Sequence, residues 1–519
     1  MGNIMNNIVL VSDFDSSEVN GGAELCNKAL IELLNDKGFS VEFKKSINVT
    51  SVSKDKSYIF ANIAQLSPEI IKQLIEKEIE YRLYLHDHYY CVYRNPFRHN
   101  KQLICNCFDK NSLVHMFAFF AKSVLCQTEF HKNIVDQNVY CNTVNIGSNL
   151  WCKEEINWLK ECKKNESNGS FIIFSSPYAH KNTQGAVDYA EKNNLKYDLI
   201  SNLKWKDYIE ALSKSEGIIF FPILAESASR LAFEAKVLEK KVITNKLVGY
   251  TWEKWWNDKE VDVDSIINNA KNNILSDLDR EKKEVSVFCT TYNSKKYIKG
   301  YLENVSSFKN ANYEVIIYDG GSTDQTVDEI KKFIDSNKKQ DVIKLYESKS
   351  RIGIYKGWNK ALSKCSAELV VNMNVDDRFS DDALYEMKDF LEKEGTDFVY
   401  SDSFVTQTNN ETFEKHTKTG ELIWPEYDKE LLKKMCFGTQ FPMWKKNSLV
   451  KTGLFDEQFV SSGDWDMWIR MSLAGVKFKK LNKKLGLYLF NKSGLSTTET
   501  GASSINVTES NFIRQKYSK

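Results

Sequence analysis

Short apolar strands alternate with helix-patterned stretches in three successive series along this chain. Repetition of that kind constrains the fold to parallel sheets covered by helices. In the first series Asn7 to Ser12 reads as a buried strand. Gly21 and Gly22 then open a helix, AELCNKALIELLNDKG, with apolar residues at helical spacing and a stop at Gly38. Further strands are expected at Tyr58 to Ala61, Tyr81 to Leu85, Val124 to Gln127 and Tyr140 to Ile146. The second series has strands at Phe171 to Ser175, Tyr197 to Ile200, Gly217 to Phe221 and Lys241 to Thr244. Residues 258–283 are rich in Asp, Asn and Lys and read as a helical linker. The third series starts at Glu284, and the piece after Thr498 reads as a loosely ordered polar tail.

Composition narrows the function classes. A chain of 519 residues accommodates three or four units of roughly 150 residues. Its 42% hydrophobic and 27% charged content excludes global disorder. Lys plus Arg is 71 and Asp plus Glu 70, so the broad basic field of a nucleic-acid binder is missing. Eleven cysteines, an odd number, point to reduced thiols and a cytoplasmic protein. Within 105–107 two of them form a close pair, Cys105 and Cys107, which reads as buried thiols because no second close pair follows. No stretch approaches the roughly 20 apolar residues of a membrane span. The start, MGNIMNN, lacks a basic leader region. Peripheral contact with the inner face of a membrane stays open.

The third series carries the strongest chemistry. The strand Val285 to Thr290 leads into TYNSKKYIKGYLENV, and a second strand from Asn312 ends in DGGSTDQT. Asp319 therefore stands at the C-terminal end of a strand, where open α/β sheets bind ligands, and the glycines after it let a nucleotide approach the backbone. The strand AELVVNMNVDD ends in Asp376 and Asp377, adjacent carboxylates that suit Mg2+ or Mn2+ with a diphosphate. Asp464, in SSGDWDMWIRM, stands just before a helix.

The stretches TTYN, YDGGSTDQT, RIGIYKGWNKAL, NVDD and TGLFDEQF followed by GDWDMWIRMSLAG make roughly residues 284–495 resemble glycosyltransferase family 2, with its GT-A fold. The resemblance implies that Thr291, Asp319 and Asp376 bind the donor nucleotide, with Arg351 nearby. It implies that Asp377, with Asp376, holds the metal, that Asp464 is the catalytic base, and that Trp465 and Asp466 flank the acceptor. Asn491 or Lys492 stands in the region where family members often carry a metal-binding histidine.

The first two series resemble glycosyltransferase family 4 and its GT-B fold, in GGAE, YLHDHYY, NIGSNL, SSPYAHKNTQGAVDYA and FFPILAESASRLAFEAKVLEKKVITNKLVG. A Gly pair opening a helix offers N–H groups and a positive dipole end to an anion. Glu226 and Glu234 lie eight positions apart, about 800° of helix, which puts them on adjacent parts of one helix and about 12 Å apart along it. The resemblance implies donor contacts from Gly22, Lys181, Glu226 and Glu234; no Arg stands before Lys181 in SSPYAH. His86 and His88 read as a catalytic or sugar-contacting pair at a strand end, of which one is a hydrogen-bonded structural residue.

The expected architecture is α/β: a GT-B-like pair of Rossmann-like halves (1–148 and 149–262), a helical linker (263–283), a GT-A domain (284–500) and a polar tail (501–519). The expected function is a bifunctional glycosyltransferase using nucleotide sugars, UDP-sugars first, and a glycan or glycolipid acceptor in surface polysaccharide or lipopolysaccharide assembly. Its C-terminal module is expected to be inverting and to need Mn2+ or Mg2+; its N-terminal module is expected to work without metal. Alternatives are an N-terminal unit that only scaffolds the acceptor, a nucleotidyltransferase, and a non-catalytic glycan-binding protein.

Overall fold

Strands form where the chain runs apolar between turn residues. NIVLVS gives β1 (Asn7–Ser12), buried from Ile8 onward. It lies in a computed structural model that describes residues 7–518 apart from 20, 164–165, 202, 259–261, 439–440 and 492–501. The chain divides between Arg280 and Glu281 into two compact units.

In the first unit β1 is followed by β2 (Ser40–Lys45), β3 (Ser57–Phe60), β4 (Tyr81–Tyr84), β5 (Ser123–Cys126) and β6 (Thr143–Asn145). They form one sheet of order β2-β1-β3-β4-β5-β6, every neighbour parallel. A second parallel sheet holds β7 (Phe171–Phe174), β8 (Tyr197–Ile200), β9 (Gly217–Phe220) and β10 (Lys241–Thr244), in the order β10-β9-β7-β8. The first helix, Gly22–Asp36, buries Cys26, Ala29, Leu30 and Leu34 against Ile8 and Leu10. Gly38 stops it at φ +86°, a conformation glycine adopts without strain.

The expected linker is a helix, Val263–Leu278, but it is part of the first unit rather than a spacer. Ala270, Ile274 and Leu278 join the core of the first sheet, and Val263, Ile266 and Ile267 join that of the second. Its last turn is locked by charge. Arg82 on β4 donates from Nε to the Asp277 carboxylate at 2.7 Å, and Ser123 donates to the same oxygen at 2.6 Å. Both members of this ion pair are buried.

The second unit holds β11 (Val285–Thr291), β12 (Tyr313–Asp319), β13 (Ile343–Glu347), β14 (Leu369–Asn372), β15 (Arg378–Phe379), β16 (Phe398–Thr406), β17 (Gly420–Leu422), β18 (Met443–Lys445) and β19 (Phe478–Leu489). The order is β13-β12-β11-β14-β18-β16-β19-β15, with β17 on β16. The strands β13, β12, β11 and β14 are parallel, so their C-terminal ends share one edge. The lysine run of β19 is paired rather than free: Lys480 bonds Asp402 at 3.1 Å, Lys483 bonds Glu386 at 2.6 Å and Lys484 bonds Glu421 at 3.2 Å.

The tail expected to be loose carries a helix, Ala502–Tyr517. Ile513 is its buried anchor. The Glu509 carboxylate accepts from the backbone N–H groups of Val460, Ser461 and Ser462 at 2.7, 2.9 and 2.8 Å. Polar composition thus serves docking by hydrogen bonds here. No helix among the described residues is long and apolar enough to cross a membrane.

Candidate functional site

Asp319 closes the end of β12 and organises the loop after it. Its carboxylate accepts from the backbone N–H groups of Gly321 and Ser322 at 2.9 and 2.8 Å, and from the hydroxyls of Ser322 and Thr291 at 2.5 and 2.9 Å. Gly321 sits at φ +90°, and a Cβ there would lie 2.8 Å from the Ser350 backbone. Only glycine fits, and the turn brings the 348–351 loop against the end of β12. Arg351 lies over the Tyr292 ring, its guanidinium 4.7 Å from the centroid. Thr291, Asp319 and Arg351 are therefore together at one sheet edge.

Asp376 and Asp377 lie in the turn between β14 and β15, not in the strand expected to end in them. Asp377 is buried and accepts from the Leu489 N–H at 3.1 Å and the Asn374 amide at 3.4 Å. Burial, and then the charge of Asp376, push its carboxyl well above the usual range; burial also raises Asp376. Asn491, two residues past Leu489, donates to the Tyr297 hydroxyl at 3.1 Å. Lys492 lies outside the described residues.

Asp464 is the second residue of the helix Gly463–Leu473 and receives hydrogen bonds from the Tyr355 hydroxyl at 3.3 Å and the Trp465 N–H at 2.9 Å. Burial pushes its carboxyl up to about 6. Tyr355 is held by stacking on Phe455, and its ring would collide with a side chain at position 463. Trp465 and Asp466, expected beside an acceptor, are buried instead. Trp465 donates to the Leu432 carbonyl at 2.6 Å. Asp466 accepts from Arg470, Lys516 and Tyr517, each at 2.8 Å. Burial opposes its ionisation, but Arg470 and these hydrogen bonds outweigh that and lower its carboxyl. Helical periodicity explains the difference: successive residues on a helix point about 100° apart, so neighbours of Asp464 face the core.

In the first unit a cleft of about 310 Å³ is lined by Gly22, His86, Lys181, Phe220, Glu226 and Arg230, among others. Lys181 bonds Glu226 at 2.6 Å. Glu226 is not on the helix expected to carry both glutamates. Ser229 caps that helix, Arg230–Val237, and Glu226 precedes it in a backbone bridge with Val248. Glu234 does not line the cleft. It is buried, accepts from the Trp205 indole N–H at 2.8 Å, and burial raises its carboxyl. His86 does line it, its ring between the Asn27 and Gln127 side chains, and burial pushes it down to about 3, so it is neutral. His88 is the structural member, buried and bonded to the Tyr90 hydroxyl at 3.0 Å.

Residues 286–459 match the Glycosyl transferase family 2 profile. The C-terminal unit carries a glycosyltransferase family 2 domain. The chain is 29% identical over 205 residues to a chondroitin synthase of Pasteurella multocida (strain Pm70), covering 38% of this chain and 20% of that protein. A hyaluronan synthase of Pasteurella multocida matches with the same identity and the same coverage. The chain thus spans about a fifth of the length of these relatives. Among solved structures, Staphylococcus aureus TarS 1-349 in complex with UDP-GlcNAc is 16% identical, with 45% of this chain and 73% of that chain covered and a TM-score of 0.34. The family 2 domain has the GT-A-like mixed sheet that the sequence suggests, with its acidic residues at the C-terminal edge.

Sequence reasoning missed two side chains. Tyr355, in the helix after Arg351, connects that loop to Asp464 across 109 positions of chain. Arg230, inside the paired-glutamate motif, is the cleft's guanidinium. It stacks on Trp151 at 3.7 Å and donates to Glu155 at 2.6 Å, while its Nη1 is buried with no hydrogen-bond partner among the described residues. The missing Arg before Lys181 was the signal to look for one elsewhere.

Proposed function

We propose that the C-terminal unit transfers a sugar, with inversion, from a nucleotide-sugar donor, a UDP-sugar first, to a glycan or lipid-linked glycan in surface polysaccharide or lipopolysaccharide assembly. The observation that carries this is Asp464. A carboxylate raised to about 6 ionises at neutral pH and is still basic enough to take a proton. Its role is to accept the acceptor hydroxyl's proton as that oxygen attacks the sugar. The Tyr355 hydroxyl orients it. Asp319 stiffens the loop against which the nucleotide lies, with Thr291 and Arg351 beside it.

A buried carboxyl, Asp377, and a half-buried one beside it, Asp376, repel each other and fit a divalent cation, which takes hard oxygen ligands. Asp377 and Asp376 would hold Mn2+ or Mg2+, which supplies charge neutralisation for the leaving diphosphate. Asn491 is the side chain of this chain beside the place of the family's histidine.

For the N-terminal unit we read the cleft as a second, metal-independent donor site in a bifunctional enzyme. Lys181, Arg230 and the start of the first helix at Gly22 line one cleft, a set that suits an anion. The diphosphate would displace Glu226 from Lys181. The test is a panel of nucleotide sugars with the full chain, scored for nucleoside diphosphate release with and without glycan acceptors. Release that depends on Asp464 supports glycosyl transfer. Consumption of added pyrophosphate, with formation of a nucleoside triphosphate and a sugar 1-phosphate, would instead mark a nucleotidyltransferase, and no turnover with any donor a glycan-binding protein.

A further inference from the structure

Between β4 and the helix Leu113–Phe119 the chain runs from Leu85 to Ser112 with one 3-10 turn, Pro96–Arg98, as its regular structure. Loops longer than about 12–15 residues without structure of their own are uncommon in compact domains. Something must hold this one. Four side chains on it converge: Cys91, His99, Cys105 and Cys107 bring their ligand atoms all within 4.8 Å of one another. Cys91 Sγ lies 3.9 Å from Cys107 Sγ, and His99 Nε2 lies 3.4 Å from Cys91 Sγ and 3.2 Å from Cys107 Sγ.

We propose that Cys91, His99, Cys105 and Cys107 form a structural zinc site that staples this loop. The distances carry the choice of metal. With Zn–S of about 2.3 Å and Zn–N of about 2.0–2.1 Å, tetrahedral geometry requires ligand-to-ligand edges of about 3.8 Å for S···S and about 3.5 Å for S···N. The three edges among Cys91, His99 and Cys107 match both, and Cys105 lies within 4.8 Å of the others, so it would close in by up to about 1 Å on binding. Three soft sulfurs and one imidazole select zinc over Mg2+ or Mn2+, which take oxygen. All three cysteines are free, and 3.9 Å is far beyond the about 2.05 Å of a disulfide. Binding converts three thiols to thiolates, releases three protons and leaves a tetrahedral centre with no open position, so the site is structural.

The backbone already supports the ligands. The N–H of Cys91 bonds the His88 carbonyl at 2.9 Å, that of His99 bonds the Pro96 carbonyl at 2.8 Å, and that of Cys105 bonds the Asn138 side chain at 2.8 Å. The staple also reaches the cleft. Asn95, between the first two ligands, donates to the Ala225 carbonyl at 2.8 Å, one residue before Glu226. Phe97 and Leu103 pack on the cluster formed by Phe130, Ile134 and Ala225. Zinc would therefore fix a wall of the cleft in the opposite Rossmann-like half.

The experiment uses the untagged full chain purified without chelator and measures metal by mass spectrometry. One zinc per chain is expected, falling to background in the Cys91→Ser, Cys107→Ser double variant and unchanged in Asp377→Asn. Because that double variant is able to misfold, Co2+ is exchanged into the native chain as well. A sulfur-to-cobalt charge-transfer band with tetrahedral visible bands is expected. An octahedral spectrum, zinc that survives the double variant, or a native chain free of zinc after growth with zinc supplied would each overturn the proposal. So would a Cys91–Cys107 disulfide found by thiol titration and peptide mapping.

Discussion

In the proposed transfer the protonation of Asp464 sets the rate. Its carboxyl is raised to about 6, mainly by burial, so it is protonated below that pH and cannot accept a proton there. Turnover of the C-terminal unit is expected to fall about tenfold per pH unit below 6 and to level off above it. Asp464→Asn keeps the shape and the bond from Tyr355 and removes the base. A loss of about 10²- to 10⁴-fold in kcat is expected, with donor KM little changed. A near-normal kcat, or a variant that keeps the acid limb, would make Asp464 a helix-start residue only. At the same scale Asp319, expected at the nucleotide, also shapes its loop, because its oxygens accept from Thr291, Gly321 and Ser322.

Elements bring these residues together, and two connections make sharp expectations. Glu509, on the C-terminal helix, holds the 460–462 turn that launches the Asp464 helix, and its charge adds to the rise in the Asp464 carboxyl. Glu509→Gln keeps one acceptor and loses the charge. It should lower kcat more than it alters donor KM and move the acid limb of the pH profile to lower pH; an unmoved limb would leave Glu509 a purely structural clamp. The buried pair of Arg82 and Asp277 ties the helix Val263–Leu278 to β4 and β5. Asp277→Ala leaves the buried Arg82 guanidinium with Glu80 as its remaining carboxylate partner and should destabilise the N-terminal unit by about 3 kcal/mol, the low end for a broken buried pair, in urea unfolding. A cost below 1 kcal/mol would mean that the pair is solvated. Elements with apolar runs were legible in advance: β1, NIVLVS, falls on the expected residues and is buried from Ile8 onward. The edge strand β2, SVEFKK, was not, because it alternates polar residues and is only half-buried. The paired glutamates misled for a related reason. Their spacing presumes a continuous helix, and Ser229 starts that helix after Glu226. The four ligands of the loop are separated by eight, six and two positions, a spacing that acquires meaning only once the loop is folded.

At the scale of the molecule the question is whether two chemistries coexist in one chain. The C-terminal unit would need a hard cation on Asp376 and Asp377, and the N-terminal cleft, as proposed, would hold its anion on Lys181 and Arg230. Chelation alone is a blunt way to separate them, because a zinc staple beneath the cleft would respond too. Point variants in the full chain are cleaner. Asp377→Asn should abolish the Mn2+- or Mg2+-dependent transfer and leave any activity of the cleft intact. Arg230→Ala should do the reverse, weakening donor binding at the cleft by about 1.5–3 kcal/mol, the worth of a hydrogen bond to a charged group. Arg230 also stacks on Trp151 and pairs with Glu155, so Lys181→Met serves as the second variant, since it loses the charge at a half-exposed position. Two donors, each lost with one variant class and kept with the other, would establish a bifunctional enzyme. If every turnover disappears in Asp377→Asn while a diphosphate still binds in a Lys181-dependent way, the cleft is a binding site without chemistry. If Lys181→Met and Arg230→Ala change neither binding nor turnover, the N-terminal unit is an acceptor scaffold, and the family 2 domain carries the activity alone.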